Sequence, residues 1–259
     1  MLIMNQSSYK FLGVKVDALS IPELNSLITE SIQRKKKWII ANHNLHSLYL
    51  YHNDIKMRAF YAKAEYIHID SMPLVFIGKL LGFPLKREQR VTYADWVWPL
   101  MAEAASQGWR VFYLGSKPGV AEQGASILRQ KFAGLQIACA HGYIDSSQDS
   151  QENLATLAAI NAYKPHVLMV GMGMPRQEHW IAENLEHIHS NTILTSGACI
   201  DYVAGAIPTP PRWMGKMGVE WLYRLLSEPK RLWKRYLLEP WFLGTLFLRE
   251  ILTSRLDSL

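Results

Sequence analysis

Cysteine is almost missing from this chain of 259 residues, which holds only Cys139 and Cys199 and no C-x-x-C spacing. That excludes a disulfide framework and a zinc ribbon, and leaves two buried thiols in a reducing compartment as the simplest state. Long apolar runs are scarce too. Met1 to Lys10 offers no signal-peptide core, and the longest apolar run, roughly Trp241 to Leu248, falls far short of the ~20 residues of a spanning helix. The chain is expected to lie against a membrane at most. Catalytic signatures are also lacking: there is no Walker P-loop, no G-x-S-x-G elbow, no H-E-x-x-H and no Asp-x-Asp pair, and Gly171-x-Gly173 has no third glycine after it. ATPase, serine-hydrolase, zinc-protease and dinucleotide readings lose ground accordingly, as does a diphosphate held through a divalent ion.

What is present is an ordinary globular balance, 49% hydrophobic and 19% charged, in a length that suits one large α/β domain or two small ones. Short apolar runs at Trp38, Tyr66, Arg110, Gln136, His166 and Thr192 alternate with amphipathic stretches at Leu45–Tyr61, Asp95–Ser106, Gly119–Phe132, Glu152–Tyr163 and Pro175–Glu186. This alternation predicts an α/β fold, a Rossmann-like and mostly parallel sheet flanked by helices. Ser20-x-x-Glu23 with Pro22 reads as a capping box opening a helix near residue 21.

Pro208-Thr-Pro-Pro211 breaks the pattern and predicts a division into a 1–207 α/β core and a 208–259 helical appendage. The formal charge of +6 is concentrated there, since Gly205 to Arg235 carries seven Lys/Arg against Glu220 and Glu228, interleaved with Trp213, Trp221 and Trp233. Such a mixture suits an anionic membrane surface. The competing reading is a binding module without catalysis, its basic tail holding nucleic acid or lipid on an α/β scaffold. The tail's Leu and Trp content favours lipid, and no nucleic-acid motif is present.

Ligands of open α/β sheets bind beyond the carboxyl ends of the strands, and here those ends are polar: Asn42-His-Asn44-Leu-His46, Asp70-Ser-Met-Pro73, Gly115-Ser-Lys117-Pro-Gly119 and Gly171-Met-Gly173-Met-Pro-Arg-Gln177-Glu178. The turn bearing Gly115 and Lys117 can hold a diphosphate through backbone N–H groups and the lysine, or simply turn the chain. Asp70 is placed either to take a proton from a substrate hydroxyl or to cap the helix near Met72. Arg90 is either a pocket cation or the ion-pair partner of Asp95; Gln177 and Glu178 either face the pocket or merely open a helix. His43, His46 and His68 with Asp70 match no metal-ligand template, so no metal and no cofactor is expected.

Taken in order, these residues resemble the WecG/TagA/CpsF family of bacterial glycosyltransferases. The resemblance runs from Phe11-Leu-Gly-Val to about Arg235 and rests on Asn44, Asp70, Arg90-Val-Thr-x-x-Asp95, Leu114-Gly-x-Lys-Pro-Gly119, Gly171-x-Gly-x-Pro-x-Gln177-Glu178, Gly197-Ala-x-x-Asp201 and Glu220-Trp-Leu-Tyr-Arg-Leu-Leu-x-Glu-Pro229. It implies inverting, metal-independent transfer of a hexose from a UDP-sugar to a sugar on a polyprenyl diphosphate, by a peripheral protein at the cytoplasmic membrane face. Asp70 matches the general base. Asn44, Arg90 and Gln177 match pocket residues, and Arg224 and Arg231 match appendage arginines that close over the nucleotide diphosphate. Substrate contacts are expected also from Asn42, Gly115, Lys117, Gly171, Gly173, Asp201 and Lys234. Lys234, beside Arg235, stands where the family has a third arginine; Asn42 where Thr is common; Ser71 and Tyr93 where Gly is common. The change at Tyr93 points to the exopolysaccharide glucosyltransferase branch. The resemblance is compatible with N-acetylmannosamine, its uronic acid or glucose as the sugar, and with a monomer or a homo-oligomer.

Overall fold

A computed structural model describes residues 7–208, 214 and 220–256, without the side chains of 220, 224, 231 and 253–256. All six apolar runs form strands: β3 (Trp38–His43), β4 (Tyr66–Ile69), β5 (Arg110–Gly115), β6 (Gln136–Ala140), β7 (Val167–Gly171) and β8 (Thr192–Thr195). A hairpin precedes them, β1 (Ser8–Phe11) and β2 (Val14–Asp17). Its two-residue turn puts both Leu12 (φ 51°) and Gly13 (φ 74°) in the left-handed region, which matches the right-handed twist of the strands. The sheet order is β1-β2-β4-β3-β8-β7-β5-β6, antiparallel only between β1 and β2.

Alternate residues of the central strands enter two different cores. Ile40, Val111, Tyr113, Met169 and Leu194 pack on one face, beneath α1 (Ile21–Gln33), α5 (Tyr93–Gln107), α6 (Val120–Lys131) and α9 (Cys199–Val203). Ile39, Phe112, Leu114, Leu168 and Ile193 pack on the other, beneath α3 (Ile55–Tyr61), α7 (Gln151–Tyr163) and α8 (Arg176–Asn184). Covered on both sides, these strands are apolar at nearly every position. The Ser20 N–H donates to Glu23 Oε2 at 2.7 Å, so the capping-box glutamate does reach back at the start of α1. The stretch from Leu45 to Tyr61 is two helices rather than one, α2 (Leu45–Asn53) and α3, because the Asp54 side chain accepts the Lys56 N–H at 2.8 Å and starts a new helix.

A third core lies at the sheet edge. Phe11, Val14 and Val16 of the hairpin meet Leu48 of α2, Leu74 and Val75 of α4 (Met72–Leu80), and Leu243. Leu243 comes from the C-terminal segment, which forms α10 (Glu220–Ser227), α11 (Pro229–Leu237) and α12 (Glu239–Leu256). Among the described residues no helix is long and apolar enough to cross a membrane. The proline break at 209–211 and Trp213 lie outside the described residues.

Candidate active site

Because β4, β3, β8, β7 and β5 are consecutive neighbours, their carboxyl ends open side by side. Asp70 leaves the end of β4, and its N–H donates to the His43 carbonyl of β3 at 2.8 Å. It does not cap α4; Ser71 occupies that position. Instead Asp70 Oδ2 accepts the Asn42 amide at 3.1 Å and lies 3.5 Å from the Asn44 amide nitrogen. Neither asparagine is free to turn. Asn42 Oδ1 accepts from Thr195 Oγ1 of β8 at 2.8 Å, its carbonyl accepts the Tyr61 hydroxyl at 2.9 Å, and Asn44 Oδ1 caps α2 by accepting the Ser47 N–H at 3.1 Å. Hydrogen bonds to a charged group are each worth about 1.5–3 kcal/mol, so the strand ends fix one carboxylate oxygen in place.

Arg90 reaches the same spot through the backbone, since the Val91 N–H donates to the Ile69 carbonyl at 2.8 Å and lays the Arg90 segment beside β4. Its guanidinium lies 3.5 Å from Asp95 Oδ2, so the ion pair read from the sequence exists; the arginine side chain is nevertheless mostly buried and lines the same cleft as Asp70. That cleft encloses about 320 Å³. Its floor is Asn44, Asp70 and Arg90, and its opposite wall is C-terminal: Trp221 of α10 and Arg235 and Tyr236 of α11. The Arg235 guanidinium approaches Asn44 Oδ1 to 3.5 Å. His46 Nδ1–H donates to the Glu239 carboxylate at 2.9 Å, Phe242 packs edge-on against Tyr49 at 5.4 Å, and Leu243 is buried in the edge core. These contacts seat the C-terminal helices over the strand ends.

The other expected residues gather at the ends of β5, β7 and β8, outside the lining of that cleft. Gln177 is buried, and its Oε1 accepts the Gly197 N–H at 3.1 Å and the Gly173 N–H at 3.3 Å, tying the β7 and β8 loops together. It is therefore more than a residue that opens α8. Its amide donates to Glu178 at 2.7 Å, and Glu178 is no surface acid of a first turn: it is fully buried, which pushes its carboxyl up to about 7. Ser116, in left-handed backbone, donates to Asp201 Oδ2 at 2.9 Å; burial raises the Asp201 carboxyl, opposed by that bond and by the Lys117 charge. Lys117 is exposed beside it. Gly115 and Gly171 have a packing reason to be glycine. A Cβ on Gly115 would stand 2.5 Å from the Gly171 carbonyl oxygen, and one on Gly171 would stand 2.5 Å from that of Gly197.

Three histidines raised as ligands are committed elsewhere. His43 stacks on Tyr61 at 4.1 Å and His68 lies edge-on to Trp96 at 5.6 Å; burial drives both imidazoles down to about 3, so they are neutral. His46 holds Glu239. Among the described residues no three His, Cys, Asp or Glu side chains gather as a metal-ligand set. Arg224 falls on α10 and Arg231 on α11, but their side chains lie outside the described residues. Lys234 does not line the cleft and holds its ammonium 5.6 Å from the Trp233 ring; its neighbour Arg235 is the cation that lines it. The sequence offered no sign of this beyond the adjacency, because the helical phase after Pro229 decides which of the two faces inward.

A model of the glycosyl transferase WecG/TagA/CpsF family matches residues 9–257, nearly the whole chain. The chain belongs to this family. It is thus a glycosyltransferase, and the match takes in both halves of the cleft, the strand ends and the C-terminal helices that face them.

Proposed function

We propose that the protein transfers a hexose from a UDP-sugar to a sugar on a polyprenyl diphosphate, with inversion, at the cytoplasmic face of a membrane, in bacterial cell-wall or exopolysaccharide synthesis. The observation that carries this reading is the Asp70 carboxylate, oriented by two asparagine amides on the floor of a cleft whose other wall is cationic and aromatic. In a single displacement the acceptor hydroxyl oxygen attacks the anomeric carbon as its proton passes to Asp70. The bond from that carbon to the β-phosphate oxygen breaks, and its electron pair leaves with UDP. Attack and departure on opposite sides give inversion.

The departing diphosphate gathers negative charge and needs cations on its side. Arg90 and Arg235 line the cleft, and Arg224 and Arg231 are assigned the same role on the resemblance of their sequence segment alone. The transfer then requires no divalent ion. The β5, β7 and β8 ends, with Lys117, Gly173 and Asp201, receive the nucleotide: the Ser116–Asp201 and Gln177 bonds preset those loops and leave Lys117 exposed.

Membrane attachment belongs to the face around the cleft mouth. Trp233 is 43% exposed and Trp241 78%, beside Lys230 and Lys234, and α4 adds Phe76 at 54% and Leu80 at 75%. Apolar rings among cations favour an anionic lipid interface, and would hold the enzyme where a polyprenyl acceptor is found. In the test, UDP release is measured with UDP-N-acetylmannosamine, its uronic acid and UDP-glucose on a short-chain lipid-diphosphate sugar. One donor is expected to turn over well above the others. No release with any of them, alongside tight binding of DNA at moderate salt, would support the non-catalytic basic module instead.

A further inference from the structure

The amino-terminal ends of β3, β8, β7 and β5 form the opposite pole of the sheet, and a second cleft of about 620 Å³ opens there. Its charged lining is entirely basic: Lys35, Lys36 and Lys37 from the α1–β3 turn, Arg110 at the start of β5, and Lys164 before β7. Among the described residues none of the five pairs with a carboxylate. Lys37 donates to the Leu185 carbonyl at 2.8 Å and Arg110 Nε to the Lys164 carbonyl at 2.7 Å, whereas the ammonium groups of Lys35, Lys36 and Lys164 bond no described residue. Packing accounts for the backbones of these residues but not for a concave surface of five uncompensated cations, which repel one another.

The backbone makes the lysines harder to dismiss. Four non-glycine residues among those described have left-handed φ angles, Leu12, Lys35, Ser116 and Lys164, and the two lysines (φ 52° and 54°) flank this one cleft. Each follows or ends a helix at a position where glycine is the least strained choice. Strain kept at such a place directs attention to what the side chain binds. His166 adds a donor: its Nδ1 accepts the Arg110 N–H at 2.9 Å, which leaves the proton on Nε2.

We propose that this cleft binds a small soluble oligophosphate, two or three linked phosphates, either inorganic or on a nucleotide. Concave shape, five positive charges and N–H donors match a compact polyanion. No Phe, Tyr or Trp lines the cleft to stack bases, which disfavours single-stranded nucleic acid. The cleft is at the opposite end of the strands from Trp221 and Tyr236, so its ligand comes from solution rather than from the surface that those residues face.

Calorimetric titration of the full chain with tripolyphosphate and with ATP, at 0.15 M salt, tests this. Saturable binding of one tripolyphosphate per chain is expected; tighter binding of ATP would assign the site to a nucleotide, and equal or weaker binding of ATP to the inorganic chain. Lys35→Gly with Lys164→Gly relieves both left-handed backbones, so Tm should hold or rise while affinity falls at least tenfold. Lys36→Gln with Lys164→Gln, which leaves every backbone angle open to the same residue class, should give a similar loss even if the glycine variant folds poorly. Arg235→Ala, whatever it does to turnover, should leave the tripolyphosphate affinity unchanged. Absence of saturable binding, undiminished affinity in the lysine variants, or a loss produced by Arg235→Ala, which would put the anion in the Asp70 cleft, overturns the proposal.

Discussion

Residues 7–208 bury the apolar side of nearly every helix against the sheet, whereas residues 220–256 leave most of theirs outside. Among the described residues, nine of the fourteen large hydrophobic side chains that stand exposed belong to the C-terminal segment, from Trp221 to Leu252, while only Leu232, Glu239 and Leu243 of that segment are buried. The first region is held by two cores on the faces of a sheet and a third at its edge. The second is held by a few contacts, His46 with Glu239, Tyr49 with Phe242, Leu243 in the edge core, and Arg235 near Asn44. The difference separates two jobs. One region fixes Asp70 to within a hydrogen bond of its neighbours, and the other supplies a cationic, aromatic wall that its own stability does not require.

If that division holds, damage to the floor of the cleft should cost most. Asp70→Asn is expected to fold normally, with Tm close to that of the parent, and to lose ~10²–10⁴ in turnover, the usual effect of removing a general base; steady-state UDP release checks it, and near-normal turnover would remove Asp70 from the mechanism. Damage to the wall should cost less. Arg235→Ala is expected to lower turnover by roughly 100-fold, the lower end of the ~10²–10³ for loss of one group that stabilises developing charge, while co-sedimentation with anionic liposomes stays mostly intact. Loss of liposome binding with unchanged turnover would reverse the roles assigned to the two sides of that helix.

Titration offers a separate handle on the first region. Burial raises Glu178 from 4.5 to about 7, so as pH climbs from about 4.5 to 7 the unfolded chain releases a proton that the folded chain keeps, and stability falls. Glu178→Gln should therefore raise Tm at pH 8 by about 3–8 °C and change it little at pH 5. His43 and His68 act at the other end: with imidazoles lowered to about 3, they cost stability as pH falls below 6.5, where the unfolded state gains protons that the folded state refuses. A melting profile flat from pH 4 to 8 would contradict both. The smallest effect expected is that of EDTA, which should leave turnover unchanged. Loss of activity restored by Mg²⁺ or Mn²⁺ would contradict the account of charge balance by arginine.

How far the sequence reaches follows the same boundary. Six apolar runs announce six strands because both faces of the sheet are covered, so nearly every residue is apolar. The β1–β2 hairpin escapes notice because each strand has only four residues and the turn is Leu12-Gly13, without the Asn or Asp that marks such turns. The position of Asp70 at a strand end is readable, but its partners are not. That Asn42 and Asn44 hold it depends on β3 lying beside β4, and Gln177 acquires its role from Gly197, twenty residues on. Contacts of the C-terminal helices are the least readable of all: His46 and Glu239 are 193 residues apart, and a basic, Trp-rich composition that favours lipid says nothing of where the helices sit on the sheet.

The comparison is tested most directly by removing the second region. A chain ending at Pro211 should remain folded by circular dichroism and still bind UDP weakly, with little UDP release on a lipid-linked acceptor and no association with liposomes. Full activity of that truncated chain on the lipid-linked acceptor would contradict the claim that the C-terminal helices complete the site.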